Sequence, residues 1–144
     1  MKKQILLVIF VGCCLVASHA QSEPEKRNLS EISGKVSKTT ITFRYLDDEP
    51  IIVDSNDNII KSVQILKQNP KLKLVVEGYA NDYTSAQDNS DLAQRRANKV
   101  REIFIQKGVF QDQIEVVAYS VSAPHASPDS DEHRLAAFKI VVKD

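Results

Sequence analysis

The sequence predicts an α/β protein, a two-layer α+β sandwich with one sheet and two main helices on one of its faces. Two observations carry that expectation. Four short runs rich in β-branched, aliphatic and aromatic residues, at 39–45, 72–79, 114–119 and 136–142, have the length and composition of strands. Between the first three lie two stretches whose apolar residues recur every three or four positions, the spacing of a helix with one buried stripe. The resulting order is βαβαβ-β. Right-handed crossovers then place both helices on one side of a mixed four-stranded sheet and leave the other side open to water or to a partner. Strand order does not follow from periodicity.

Two segments of a different kind precede the first strand. Residues 1–20, MKKQILLVIFVGCCLVASHA, combine Lys2 and Lys3 with an apolar run from Ile5 to Ala17 and the small residues Ser18 and Ala20. That is the pattern of a cleavable signal peptide, and it predicts export. A rival reading makes Cys13 a lipidated N-terminus, which would tie the protein to a membrane, although Phe10 before it and Leu15-Val16-Ala17 after it suit that motif poorly. Residues 21–38, QSEPEKRNLSEISGKVSK, are polar, mixed in charge and without apolar period, so they are expected to form a flexible tether ahead of a domain at 39–144.

Within the domain, Thr39 to Tyr45 alternates as a strand and closes at the acidic turn Asp47-Asp48-Glu49-Pro50. Asp54 or Ser55 is placed to cap a helix whose stripe is Ile59, Ile60, Val63 and Leu66, and Asn69-Pro70 stops it. Leu72 to Tyr79 is the second strand, followed by a polar loop from Ala80 to Asp88. Asn89, as N-cap, then opens the longest helix, which runs to Lys107 with Leu92, Ala93, Ala97, Val100, Ile103 and Phe104 on one face. Gly108 supplies a left-handed C-terminal residue. Ile114 to Tyr119 is the third strand, and a loop holding Pro124 and Pro128 leads to the last, Ala136 to Val142.

Composition narrows the functional classes. The chain has 144 residues with 19 Lys+Arg against 19 Asp+Glu, a length that suits one domain. Without residues 1–20, 17 basic residues face 19 acidic ones and no cysteine remains. There is no basic surplus for nucleic-acid phosphates, and no disulfide or thiolate chemistry. Outside the leader the only histidines are His125 and His133, with no metal-ligand spacing, phosphate loop or nucleophile elbow around them. Asp47, Asp48 and Glu49 are consecutive in one turn, not placed across a substrate as a glycosidase pair must be. Neither a cofactor nor a metal nor a catalytic residue is expected.

The stretch from Val75 to Val109, VVEGYANDYTSAQDNSDLAQRRANKVREIFIQKGV, is the informative one. It resembles the OmpA-like C-terminal domain, most closely the peptidoglycan-associated lipoprotein group. That family's pattern is a strand ending in Gly-His/Tyr-Thr/Ala-Asp, a loop to an Asn, and Leu-Ser-x-x-Arg-Ala-x-x-Val on a helix closing near Lys-Gly-Val/Ile. Gly78, Tyr79 and Ala80, then Asn89, Leu92, Arg96, Ala97 and Val100, fit it without a gap. Weaker likeness extends from Phe43 and Tyr45 to His133-Arg134-Leu135.

The resemblance implies a periplasmic protein, associated with the outer membrane, that binds peptidoglycan non-covalently through the diaminopimelate of the stem peptide. It assigns Arg96 to the ligand carboxylate and an Asp to the ligand ammonium, beside Asn89 and Leu92 at the start of the helix. Here Asn81 stands at that Asp position and Asp82 follows it. A charge-assisted hydrogen bond is roughly twice as strong as a neutral one, so an amide at 81 implies weak binding. Thr84, Ser120 and Leu135 also depart from the pattern. These departures support an alternative: the same fold without the ligand, serving as an interaction or assembly subunit among envelope or outer-membrane proteins. Read from the residues alone, Arg96 covers the helix surface or pairs with Asp88 or Glu102, Arg95, Lys99 and Arg101 form a solvated face, and Tyr79 either packs or walls a site.

Overall fold

The computed structural model describes residues 23–36, 38–51, 56–120 and 134–143. The expected signal peptide, Cys13, the cap at Asp54 or Ser55, Pro124, Pro128, His125 and His133 lie outside them. In chain order the elements are α1 (Glu23–Ser33), β1 (Thr39–Phe43), β2 (Pro50–Ile51), α2 (Asn56–Gln68), β3 (Leu72–Ala80), α3 (Ala86–Gln106), a single 3-10 turn (Gln111–Gln113), β4 (Ile114–Ser120) and β5 (Leu135–Val142).

The expected α+β layering is present, with a sheet order of β2-β1-β5-β3-β4. The C-terminal strand is therefore the central one, inserted between β1 and β3. β5 runs antiparallel to both β1 and β3, and β3 runs parallel to β4 across the α3 connection. Five strands replace the expected four, because Pro50, read as the end of a turn, and Ile51 after it pair with Phe43 and Thr42. β3 alternates strictly through its first half: Leu72, Leu74 and Val76 point into one core with Ile59, Val63 and Leu66 of α2 and Ala97, Val100 and Phe104 of α3. Phe104 meets Phe138 of β5 edge to face, with centroids 5.1 Å apart.

Three expectations are corrected. Residues 23–33, read as part of a tether, form a helix that packs on β5, with Leu29 and the following Val36 buried in the main core. Leu29, Ile32 and Val36 recur at three and four positions, a stripe too sparse to stand out from its polar surroundings; only the sheet gives it something to cover. Ile60 is exposed on α2 and Ser62 is buried in its place, since Ser62 lies three residues from Ile59 and Ile60 is rotated a full 100° away. α3 starts at Ala86 rather than Asn89, with Ser85 as its N-cap accepting from the Asp88 amide. Its end is as expected: Gly108 has φ +88. Gln113 passed unnoticed in the sequence, yet its buried side-chain amide donates to the Leu66 and Leu72 carbonyls and ties the end of α2 to β3.

Gly78 sets how closely the two layers approach. A Cβ there would fall 2.1 Å from the Ala93 carbonyl oxygen and 2.9 Å from the Ala97 Cβ, so α3 lies directly on the β3 backbone. The opposite face of β3 carries Glu77, which accepts from Lys139 at 2.8 Å, Lys38 at 2.7 Å and the Tyr79 hydroxyl at 3.1 Å. Burial by itself would raise its pKa, but these three donors outweigh it and hold the carboxyl at about 2, down from 4.5. Beside it Tyr79 stacks on Tyr119 across the β3/β4 ladder, centroids 5.1 Å apart.

Gly78→Ala is expected to cost about 3 kcal/mol of stability, since the clash is with helix backbone that cannot rotate away; urea unfolding measures it. Glu77 is depressed in the folded state, so its contribution is complete above about pH 4.5 and disappears as the pH falls toward 2. Its lysine partners are half exposed, which limits that contribution to about 1–2 kcal/mol. Unfolding titrations of native and Glu77→Gln protein should therefore differ at neutral pH and converge near pH 2.

Candidate functional site

The helical stripe of α3 passes through Leu92, Arg96 and Val100, each four residues from the next, and all three are wholly buried. Arg96 is thus carried inward at the level of the C-terminal end of β3. A buried guanidinium has five N–H donors and no acceptor, and each donor left unpaired would carry the full cost of desolvation. Every one is used. Nε donates to the Asp47 carbonyl at 3.0 Å, one terminal nitrogen to the Tyr79 carbonyl at 3.1 Å and Asp82 Oδ1 at 2.9 Å, and the other to the Arg44 carbonyl at 3.1 Å and Asp82 Oδ2 at 2.9 Å. The Phe43 ring covers the guanidinium, 5.3 Å from centroid to carbon.

Asp82 completes this arrangement. Its carboxylate is bidentate on Arg96, with both side chains shut off from solvent, and Oδ2 also accepts the Leu46 amide at 2.7 Å. Burial would raise the Asp82 pKa, but the Arg96 guanidinium and the Leu46 amide outweigh it and keep the carboxyl below its ordinary value. Leu46 has φ +56, a left-handed conformation that a branched residue adopts only when its surroundings demand it. Here the surroundings are the bonds at both ends of the turn. Tyr45 adds a hydroxyl to the Asp82 carbonyl at 3.1 Å, and its ring lies under Arg134.

The five residues singled out in the sequence meet at this corner, in different capacities. Arg96 and Asp82 are its centre. Asn81 is half-buried and donates its backbone N–H toward Asp82 Oδ1 at 3.4 Å. Asn89, expected to cap α3, instead sits in its first turn and clamps the loop, accepting from the Tyr83 amide and donating to the Tyr83 carbonyl, both at 2.8 Å. Leu92 packs beneath with Ala80 and Ala93 and reaches no surface. Neither Asp88 nor Glu102 is the carboxylate on Arg96. The solvated face is partly committed too, since Arg95 pairs with Asp48 and Lys99 with Glu49, which fastens the acidic turn over α3. The role of residues 44–47 went unread because they contribute mainly backbone atoms, which carry no residue-type signal.

Tyr45, Leu46 and Tyr83 form the exposed rim of the corner. Among the described residues, no three or more His, Cys, Asp or Glu side chains gather as a metal site would require. What the geometry provides is a carboxylate seat made of two guanidinium N–H groups and one backbone amide, filled from within the chain.

Residues 44–137 match the OmpA family. This chain belongs to that family. The match spans the acidic turn, β3, α3 and the start of β5, and so includes all of the corner except Phe43. Relatives of this OmpA-family chain include proteins named peptidoglycan-associated lipoprotein. That of Brucella melitensis is 29% identical over 89 residues, covering 62% of this chain and 53% of the relative, so the match spans about half of that protein's length. The one from Pasteurella multocida is 25% identical over 130 residues, covering 86% and 87%. Among solved structures, the peptidoglycan-associated lipoprotein from Burkholderia pseudomallei aligns with a TM-score of 0.62 at 21% identity over 71% of this chain and 89% of that one. The periplasmic domain of Helicobacter pylori MotB aligns at 0.55 and 20% identity over 74% and 75%. The OmpA-like fold expected from the sequence is the fold observed.

Removing one member of a buried ion pair strands the other. Arg96→Met is therefore expected to cost about 3–5 kcal/mol, and Arg96→Met with Asp82→Leu to recover a large part of that. Urea unfolding of both single variants and the double variant closes the cycle and reads the coupling directly.

Proposed function

We propose that this OmpA-family domain is a non-catalytic cell-envelope protein that holds peptidoglycan weakly and non-covalently, through the diaminopimelate of the stem peptide. The observation that carries the reading is a guanidinium fixed at the β3–α3 corner, within the span matched to the OmpA family and at the position where the family motif has its Arg. The names of the relatives support the choice of ligand. Arg96 takes the ligand carboxylate, the Asn81-Asp82 loop takes the ammonium, Asn89 holds that loop, and Leu92 supports it from the core. Export by residues 1–20 places the protein in the periplasm, next to the outer membrane. Its other partners belong to the envelope.

One observation favours a second reading. All five N–H donors of Arg96 are engaged by the chain's own atoms, so the corner also serves as an internal clamp in a scaffold turned to protein assembly.

Co-sedimentation with diaminopimelate-containing sacculi separates the two. Native protein is expected to pellet weakly and to be released by free diaminopimelate. Asn81→Asp, which supplies a carboxylate for the ammonium, should bind about tenfold more tightly, the equivalent of about 1.4 kcal/mol. If neither protein pellets, and a stoichiometric protein partner insensitive to wall digestion is recovered from envelope fractions, the assembly reading replaces the wall-binding one.

A further inference from the structure

Arg96 has five ligand atoms, and they are not equivalent. Three are backbone carbonyls, of Arg44, Asp47 and Tyr79, held by the β1–β2 turn and the end of β3. The other two are the oxygens of one side-chain carboxylate, carried on the loop between β3 and α3. That carboxylate has the ligation an outside carboxylate would want: two parallel guanidinium bonds at 2.9 Å and a backbone amide at 2.7 Å. The guanidinium of the seat has supports besides its occupant, since the Asp47 carbonyl of the turn, the α3 backbone and the Phe43 ring also position it.

We propose that Asp82 is an internal ligand of Arg96: it fills a carboxylate seat that an external carboxylate would otherwise enter, and it is the residue that sets the affinity of this corner. This rests on reading the corner as the wall-binding site. A tethered carboxylate competes at an effective concentration of roughly millimolar or higher, so a free ligand meets a seat that is filled most of the time. Moving the acid one residue from the family's position, from 81 to 82, thus has two effects. It removes an acceptor for the ligand ammonium and places a competitor on the donor for the ligand carboxylate.

Two measurements on the full chain test this. In the first, Asp82→Ala protein is melted in acetate and in chloride at equal ionic strength. Acetate should raise its midpoint above the chloride value, by occupying the emptied seat, and should leave the native midpoint unchanged. If the variant unfolds in chloride, recovery of a cooperative transition on adding acetate gives the same answer. No acetate-specific effect overturns the proposal. In the second, sacculus binding is compared among native protein, Asp82→Ala, and Asn81→Asp/Asp82→Asn, which keeps the loop's charge and returns the acid to 81. At least about tenfold tighter binding by either variant is expected once the tethered competitor is gone. Equal binding by native and variants overturns the competition. Acetate rescue with no pelleting by any of the proteins keeps Asp82 as the seat's occupant and removes the wall-binding reading instead.

Discussion

A guanidinium moved out of water must find a partner for each of its five N–H groups, and in this domain that single requirement organises one end of the fold. Arg96 is wholly buried on α3, so the chain has to bring four other segments to it: the turn after β1, the end of β3, the loop that follows, and the ring of Phe43. The strained Leu46 is a consequence, since its amide must face Asp82 while its neighbours' carbonyls face Arg96. The same demand explains why the acidic turn lies over α3, where Arg95 and Lys99 add outer ion pairs. Those outer pairs are solvent-exposed and contribute little by themselves. The inner pair holds the geometry.

The corner can form only because the layers are close. Gly78 leaves room for the α3 backbone, and Ala93 and Ala97 keep the helix side of that contact small. The parallel pairing of β3 with β4 positions the C-terminal end of β3 beside the first turns of α3, so the loop from 81 to 85 has a short distance to cross. The face of the sheet away from the helices follows another rule: Glu77 is neutralised by two lysines and a tyrosine from β3, β5 and the approach to β1. Each side of β3 therefore buries a carboxylate-centred network. Only the one on the helix side lies at the β3–α3 corner.

Much of the fold was legible. Strand and helix positions followed from periodicity, because amphipathic stripes in α2, β1 and the first half of β3 reflect local geometry that a sequence records directly. α1 was not legible, since three apolar residues in a polar segment gain a helix only when β5 supplies the surface they cover. β2 was hidden for a similar reason: two residues beginning with proline become a strand only through their neighbour. At the site, Arg96 was located by the motif, whereas the residues alone read it as a surface side chain, although it continues the buried series of Leu92 and Val100. Asp82 was named beside Asn81, but its bond to Arg96 was not foreseen, because adjacent residues ordinarily point apart and the loop's path depends on Asn89 and Tyr83.

By itself the sequence determined the α+β class, the residues of the longest helix face, the left-handed Gly108 and the motif that marks the OmpA family. All of these are written in residue type at short spacing. Tertiary structure alone decided that β5 enters between β1 and β3, that residues 23–33 fold onto the sheet, and that Asp82 rather than Asn81 holds Arg96. The reason is common to the three. Each depends on contacts between segments distant along the chain or on backbone atoms that every residue shares, and neither leaves a signature in the identity of the amino acids.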